Sequence, residues 1–247
     1  ILDCPDQTGI VSKVGGLITD NGGWISAASQ HSDLDSKRFF SRLEVKADSL
    51  AFGVDVLREK FQPLVDELTL NLRIVDSDKP QRVILIVSIG SHCLSDLLDR
   101  WKSGDINCDI PCIISNHEDL RGLAEFYCIP YHHVIIEKDN KACGFAEVER
   151  LVDSYNTDCI VLARYMQIFP QVLCEKYRHQ VINIHHSFLP SFIGGQPYHQ
   201  ASRRGVKLIG ATCHYVTEQL DEGPIIDQDV VRVNHTDSVE DLVRLGK

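Results

Sequence analysis

Apolar positions change their period several times along the chain, and each change predicts an element. Ile10, Val11, Val14, Leu17 and Ile18 recur at the spacing that lines one face of a helix, and Asn21-Gly22-Gly23 stops it. A strand is expected to lead into that helix. Two strand-like runs follow at residues 24–32 and 39–45, joined by the turn-rich Asp33-Leu34-Asp35-Ser36-Lys37, and they predict a hairpin. Phe52, Val56, Phe61 and Val65 predict a second helix, and residues 68–75 alternate with period two, as a half-buried strand does. The predicted order is β-α-β-β-α-β, the split βαβ arrangement of ferredoxin-like modules.

The polar stretch Val75-Asp76-Ser77-Asp78-Lys79-Pro80-Gln81 reads as a linker, placing one domain at residues 1–76 and another at 82–247. Beyond it the pattern is of another kind. Val83-Ile84-Leu85-Ile86-Val87-Ser88 is continuously apolar, as expected of a strand covered on both faces by helices in a mostly parallel sheet. Helical stretches at 94–101, 120–127 and 148–155 alternate with strand-like runs at 110–115, 159–163 and 181–185. The fold class is therefore α/β, with a Rossmann-like second domain.

Composition narrows the function classes. Hydrophobic residues make up 43% of the 247 and charged residues 24%, which suits a globular protein and not a disordered chain or a coiled coil. With 25 basic against 35 acidic residues the net charge is −10, so neither nucleic acid nor an anionic membrane is expected as a partner. No run approaches the ~20 apolar residues of a membrane span and no signal peptide opens the chain, so a cytoplasmic location is expected. The nine scattered cysteines suit reduced thiols. Met166 is the only methionine, so residues are expected before Ile1, and the helical pattern near Leu245 leads us to expect more after Lys247.

Ligands of open α/β sheets bind beyond the carboxyl ends of the strands. Val181-Ile182-Asn183-Ile184-His185 is such an end, and its Asn183 and His185, two residues apart, face one side of an extended strand. A later strand at 209–216 leads into Thr217-Glu218-Gln219-Leu220-Asp221-Glu222-Gly223-Pro224, which supplies a carboxylate. An amide donor, an imidazole and a carboxylate suit acyl chemistry: the amide can meet a developing oxyanion, the imidazole can move a proton and the carboxylate can orient it and raise its pKa. An arbitrary Asn-x-His at a strand end more often only satisfies backbone groups, and spacing alone does not prove a site.

The stretches Val181-Ile182-Asn183-Ile184-His185-His186-Ser187-Phe188-Leu189-Pro190 and Leu220-Asp221-Glu222-Gly223-Pro224-Ile225-Ile226 resemble the formyltransferase fold, whose members use 10-formyltetrahydrofolate. The first region, with Asp6 and Gly9 in its first strand-to-helix turn, resembles an ACT domain. Together with His92-Cys93-Leu94-Ser95-Asp96-Leu97-Leu98, the doubled His185-His186 and Pro197-Tyr198-His199-Gln200-Ala201, these features look like the formyltetrahydrofolate deformylases. That resemblance implies hydrolysis of 10-formyltetrahydrofolate to tetrahydrofolate and formate, with catalytic Asn183, His185 and Asp221.

It further implies a folate pocket formed by Met166, Gln167, Ile168 and Phe169 and by Thr217, Glu218 and Leu220, with Gly90, Ser91 and His92 in a loop beside the site. Ile168 and Phe169 are as readily ordinary core. No cofactor or metal is implied, since the folate is the substrate, and an amino-acid effector and a homo-oligomer are expected through the ACT-like domain. Formyl transfer to glycinamide ribonucleotide or another amine is the alternative; His92, where that branch carries Asn, favours hydrolysis. His214, on an apolar strand, reads as a hydrogen-bonded interior residue.

Overall fold

The computed structural model describes residues 1–137, 139–192 and 194–247. The chain divides into two compact units, Ile1–Lys79 and Pro80–Lys247. The first contains β1 (Leu2–Pro5), α1 (Ile10–Asp20), β2 (Ile25–Asp33), β3 (Arg38–Val45), α2 (Val54–Leu68) and β4 (Asn71–Leu72), in an antiparallel sheet of order β2-β3-β1-β4. Ile10, Val14 and Ile18 of α1 and Leu57, Phe61, Leu64 and Leu68 of α2 bury one face of each helix with Leu2, Cys4 and Phe39 of the sheet.

The strand expected over residues 68–75 is shorter than its pattern. Leu68 closes α2, Thr69 turns the chain in the left-handed region (φ 54°), and only Asn71 and Leu72 pair with β1. Leu68 and Leu70 are both buried, so part of the alternation belongs to a helix end and its return.

The second unit holds β5 (Gln81–Val87), α3 (His92–Ser103), β6 (Cys108–Asp109), β7 (Ile113–Ser115), α4 (Arg121–Phe126), β8 (Tyr131–His133), α5 (Lys141–Ser154), β9 (Cys159–Ala163), α6 (Gln171–Lys176), β10 (Val181–His185), α7 (Pro197–Arg204), β11 (Leu208–Tyr215), β12 (Ile225–Arg232) and α8 (Val239–Gly246). Its sheet runs β12-β11-β10-β9-β5-β7-β8, with β6 also pairing β5. Strands β10, β9, β5, β7 and β8 are parallel, whereas β11 and β12 are antiparallel to their neighbours.

The apolar run of β5 is explained by alternation between two cores. Ile84 and Ile86 pack with Val148 and Leu151 of α5 on one face, and Leu85 and Val87 pack with Leu94 and Leu98 of α3 on the other. All four strand residues are buried, and each such side chain contributes on the order of 1.5–3 kcal/mol relative to exposure. Of the run expected at 110–115 only Ile113–Ser115 pairs, as β7; Pro111, which has no N–H to give a ladder, separates it from the short β6 that precedes the run. A third cluster, Tyr198, Ala201, Ile209, Val233 and Leu242, seats α7 and α8 against the antiparallel end. Among the described residues no helix is long and apolar enough to cross a membrane.

Candidate active site

The cleft lies at the carboxyl end of β10, where the parallel part of the sheet meets β11. Its open space is about 210 Å³, and Asn183, His185, His214 and Asp221 are among its walls. Antiparallel register sets Asn183 directly opposite His214 and His185 opposite Thr212. Thr212, fully buried, receives the Leu189 N–H at 3.0 Å and donates to the Ser187 carbonyl at 2.8 Å, which ties the loop leaving β10 back to β11. The loop carrying Asp221 is held by a close backbone approach. A Cβ on Gly223 would stand 1.7 Å from the Tyr215 carbonyl oxygen, so no side chain fits there.

Asp221 Oδ2 lies 3.3 Å from His185 Nδ1 and accepts the Gly194 N–H at 3.3 Å. Since the carboxylate accepts, the His185 proton belongs on Nδ1 and a lone pair on Nε2. That Nε2 is buried and has no hydrogen-bond partner among the described residues. The His185 pKa lies below its ordinary value: burial lowers it, and the neighbouring Asp221 carboxylate, which raises it, does not compensate. This corrects the upward shift expected from the carboxylate alone. The resting imidazole at neutral pH is a base.

His214 is buried, as its strand context implied, and it also belongs to the site. Its Nδ1 donates to the Tyr215 carbonyl at 2.9 Å, so Nε2 is left to accept from Asn183 Nδ2 at 3.2 Å. This fixes the Asn183 amide with its nitrogen toward His214 and, among the described residues, one N–H still free. Sequence reasoning passed over that role because it depends on β11 running antiparallel to β10, and an expectation of parallel strands gives no such register.

Met166, Gln167, Ile168, Phe169, Thr217, Glu218 and Leu220 all line the cleft. Met166, Ile168 and Leu220 are exposed, which makes Ile168 a wall residue and not core. Phe169 is buried edge-to-face on Phe145, with ring centroids 6.0 Å apart, and belongs to the core with one side at the cleft. The Met166 N–H donates to Ser88 Oγ at 3.2 Å, and Ser88 donates to Asn116 Oδ1 at 2.6 Å, which anchors this wall to β5. Gly90, Ser91 and His92 are not among the lining residues. Gly90 lies against the His92 ring and beside Arg164. Arg164, which was assigned no role from sequence, and His186, noted there only as half of the doubled histidine, are wall residues, and the guanidinium hydrogen-bonds the His186 ring.

Residues 81–246 match the family model described as formyl transferase. A formyltetrahydrofolate deformylase of Synechocystis is 45% identical over all of this chain and 87% of its own length. The crystal structure of a formyltetrahydrofolate deformylase from Pseudomonas syringae pv. tomato superposes with a TM-score of 0.97 at 58% identity, covering 99% of this chain and 82% of that one. A phosphoribosylglycinamide formyltransferase from Anaplasma phagocytophilum covers 67% of this chain and 79% of its own, with a TM-score of 0.61 at 35% identity.

Proposed function

This chain belongs to the formyltetrahydrofolate deformylase family, and we propose that it hydrolyses 10-formyltetrahydrofolate to tetrahydrofolate and formate with Asn183, His185 and Asp221 as the reacting group. The observation that carries the assignment of residues is the free, buried Nε2 of His185, oriented by Asp221 through Nδ1.

A water between Nε2 and the formyl carbon gives its proton to Nε2 as its oxygen bonds to carbon. The carbonyl electron pair moves to oxygen, where the free N–H of Asn183 and the new imidazolium receive it. When that pair returns, the C–N bond breaks. The folate N10 takes the proton from Nε2, and formic acid leaves and ionises to formate. Met166, Ile168 and Leu220 supply an apolar edge for the flat pterin, with Gln167, Thr217 and Glu218 offering polar contacts around it.

Transfer to an amine is disfavoured because the deformylase relatives span the entire chain, whereas the transferase likeness covers 67% of it. Formate release from 10-formyltetrahydrofolate in buffer alone is the expected result; consumption only when glycinamide ribonucleotide is added would reject hydrolysis. Within the first unit, residues 1–76 serve in this reading as an ACT-like module that binds an amino-acid effector and joins copies of the chain. The open β2 edge, exposed along nearly its whole length and paired on one side only, supports the latter role. Light scattering that gives a monomer mass, and calorimetry that detects no amino-acid binding, would overturn these two roles.

A further inference from the structure

Arg164 is the residue after β9, and its backbone lies in the left-handed region (φ 63°), which side-chain-bearing residues seldom adopt. That conformation sends a guanidinium into the wall of the cleft, close to the reacting group. No carboxylate among the described residues pairs with it, although the chain carries ten more acids than bases. Its Nη1 donates to His186 Nδ1, and its Nε is buried with no partner. His186 accepts because it stays neutral: burial first, then the charge of Arg164, pushes its pKa down to about 4. One edge of the guanidinium is thereby fixed on a neutral ring. The opposite edge, Nε with Nη2, is the fork that binds a carboxylate through two parallel hydrogen bonds.

The reacting imidazole is the next neighbour. The rings of His185 and His186 are 5.4 Å apart between centroids, and Tyr198 closes the far side of His186 at 5.5 Å. A one-carbon carboxylate formed beside His185 therefore meets a positive charge within one residue of where it is made. We propose that Arg164, held by His186, is a subsite for the formate product, onto which formate moves from the Asn183–His185–Asp221 group before it leaves the enzyme. This rests on the deformylase reading. It adds that formate and tetrahydrofolate occupy separate places and bind together, and that formate inhibits from the arginine.

Binding of ¹³C-formate to the resting protein, read by NMR line broadening, tests this without turnover. The expected result is saturable binding that persists when tetrahydrofolate fills the cleft, weakens at least tenfold in Arg164→Gln and is partly restored in Arg164→Lys. Unchanged binding in Arg164→Gln, or displacement of formate by tetrahydrofolate, would overturn the proposal. Inorganic phosphate displacing formate at equal concentration would also overturn it, by making the arginine a general anion site. If Arg164→Gln does not fold, His186→Phe serves as the second variant; it removes the brace on Nη1 and is expected to weaken formate binding as well, and unchanged binding there would count against the subsite. A protein that releases no formate from substrate yet binds it at Arg164 would refute the activity and leave the subsite. One that releases formate but binds it equally well without Arg164 would do the reverse.

Discussion

Two opposing influences act on the His185 ring, and their balance suits it to the proposed role of base. Burial favours the neutral imidazole, while Asp221 favours the charged one and holds the Nδ1 proton in place. Asp221→Asn removes the charge that supports the imidazolium formed as water is attacked, so turnover should fall by about 10²–10⁴, with folate binding retained; formate release and folate titration check both halves. The pH profile follows from the direction of the shift. The active form is the deprotonated ring and its pKa is depressed, so kcat/KM should be level at neutral pH and decline only below the ordinary histidine pKa of about 6.5. An acid limb at or above pH 7 would contradict this, and Asp221→Asn should move the limb lower still. Strand alternation set Asn183 and His185 on one face and offered a loop carboxylate, while the choice of Asn183, His185 and Asp221 was legible only through the resemblance of their motifs to the formyltransferase fold. The net pKa direction was not, since the depth of burial that decides it appears only once β10 is packed between β9 and β11.

At the scale of elements, the site depends on how closely two strands and their loops approach. Gly223 lies in the loop between β11 and β12, two residues after Asp221, and its backbone runs against the Tyr215 carbonyl. Gly223→Ala must push that loop away, which should cost several kcal/mol, at or beyond the upper end of the ~1–3 kcal/mol typical of overpacking, and lower turnover as far as Asp221→Asn does. Gly195→Ala is the contrast, because a Cβ there meets nothing within 4 Å and the unfolding midpoint should not move. Chemical unfolding of both variants alongside formate release separates a loop clash from general damage. The pattern reading overextended β4 and β7 and passed over β6 and β12, for causes that are local to each. β6 and β7 are divided by Pro111, β4 is only two residues long, and β12 is a largely exposed strand whose Asp227, Gln228 and Asp229 interrupt any apolar alternation. Periodicity reports burial and not pairing: buried Leu68 and Leu70 carry a period through a helix end, whereas the exposed β12 sets none.

Across the whole molecule, the fold holds several imidazoles neutral that the unfolded chain would protonate. His186 is pushed to about 4, and burial also lowers His185, His92 and His132. Below the ordinary histidine pKa the unfolded chain binds protons that the folded chain does not, so these groups favour the native state fully above about pH 6.5 and progressively less as pH falls toward 4. Carboxylates that the fold makes more acidic, such as Asp153 beside Lys176 and Tyr177, act in a different window: their stabilisation is present above the ordinary carboxylate pKa and fades as pH drops below it. Stability should therefore decline in two stages on acidification, the first set by histidines of the second unit. Urea midpoints measured between pH 7.5 and 4 should show a shallower first stage in His186→Gln than in the unaltered protein, because the substituted side chain takes up no proton on unfolding. Parallel curves would mean that His186 takes up its proton as readily in the folded chain as in the unfolded one, and that burial beside Arg164 does not hold it neutral below pH 6.5.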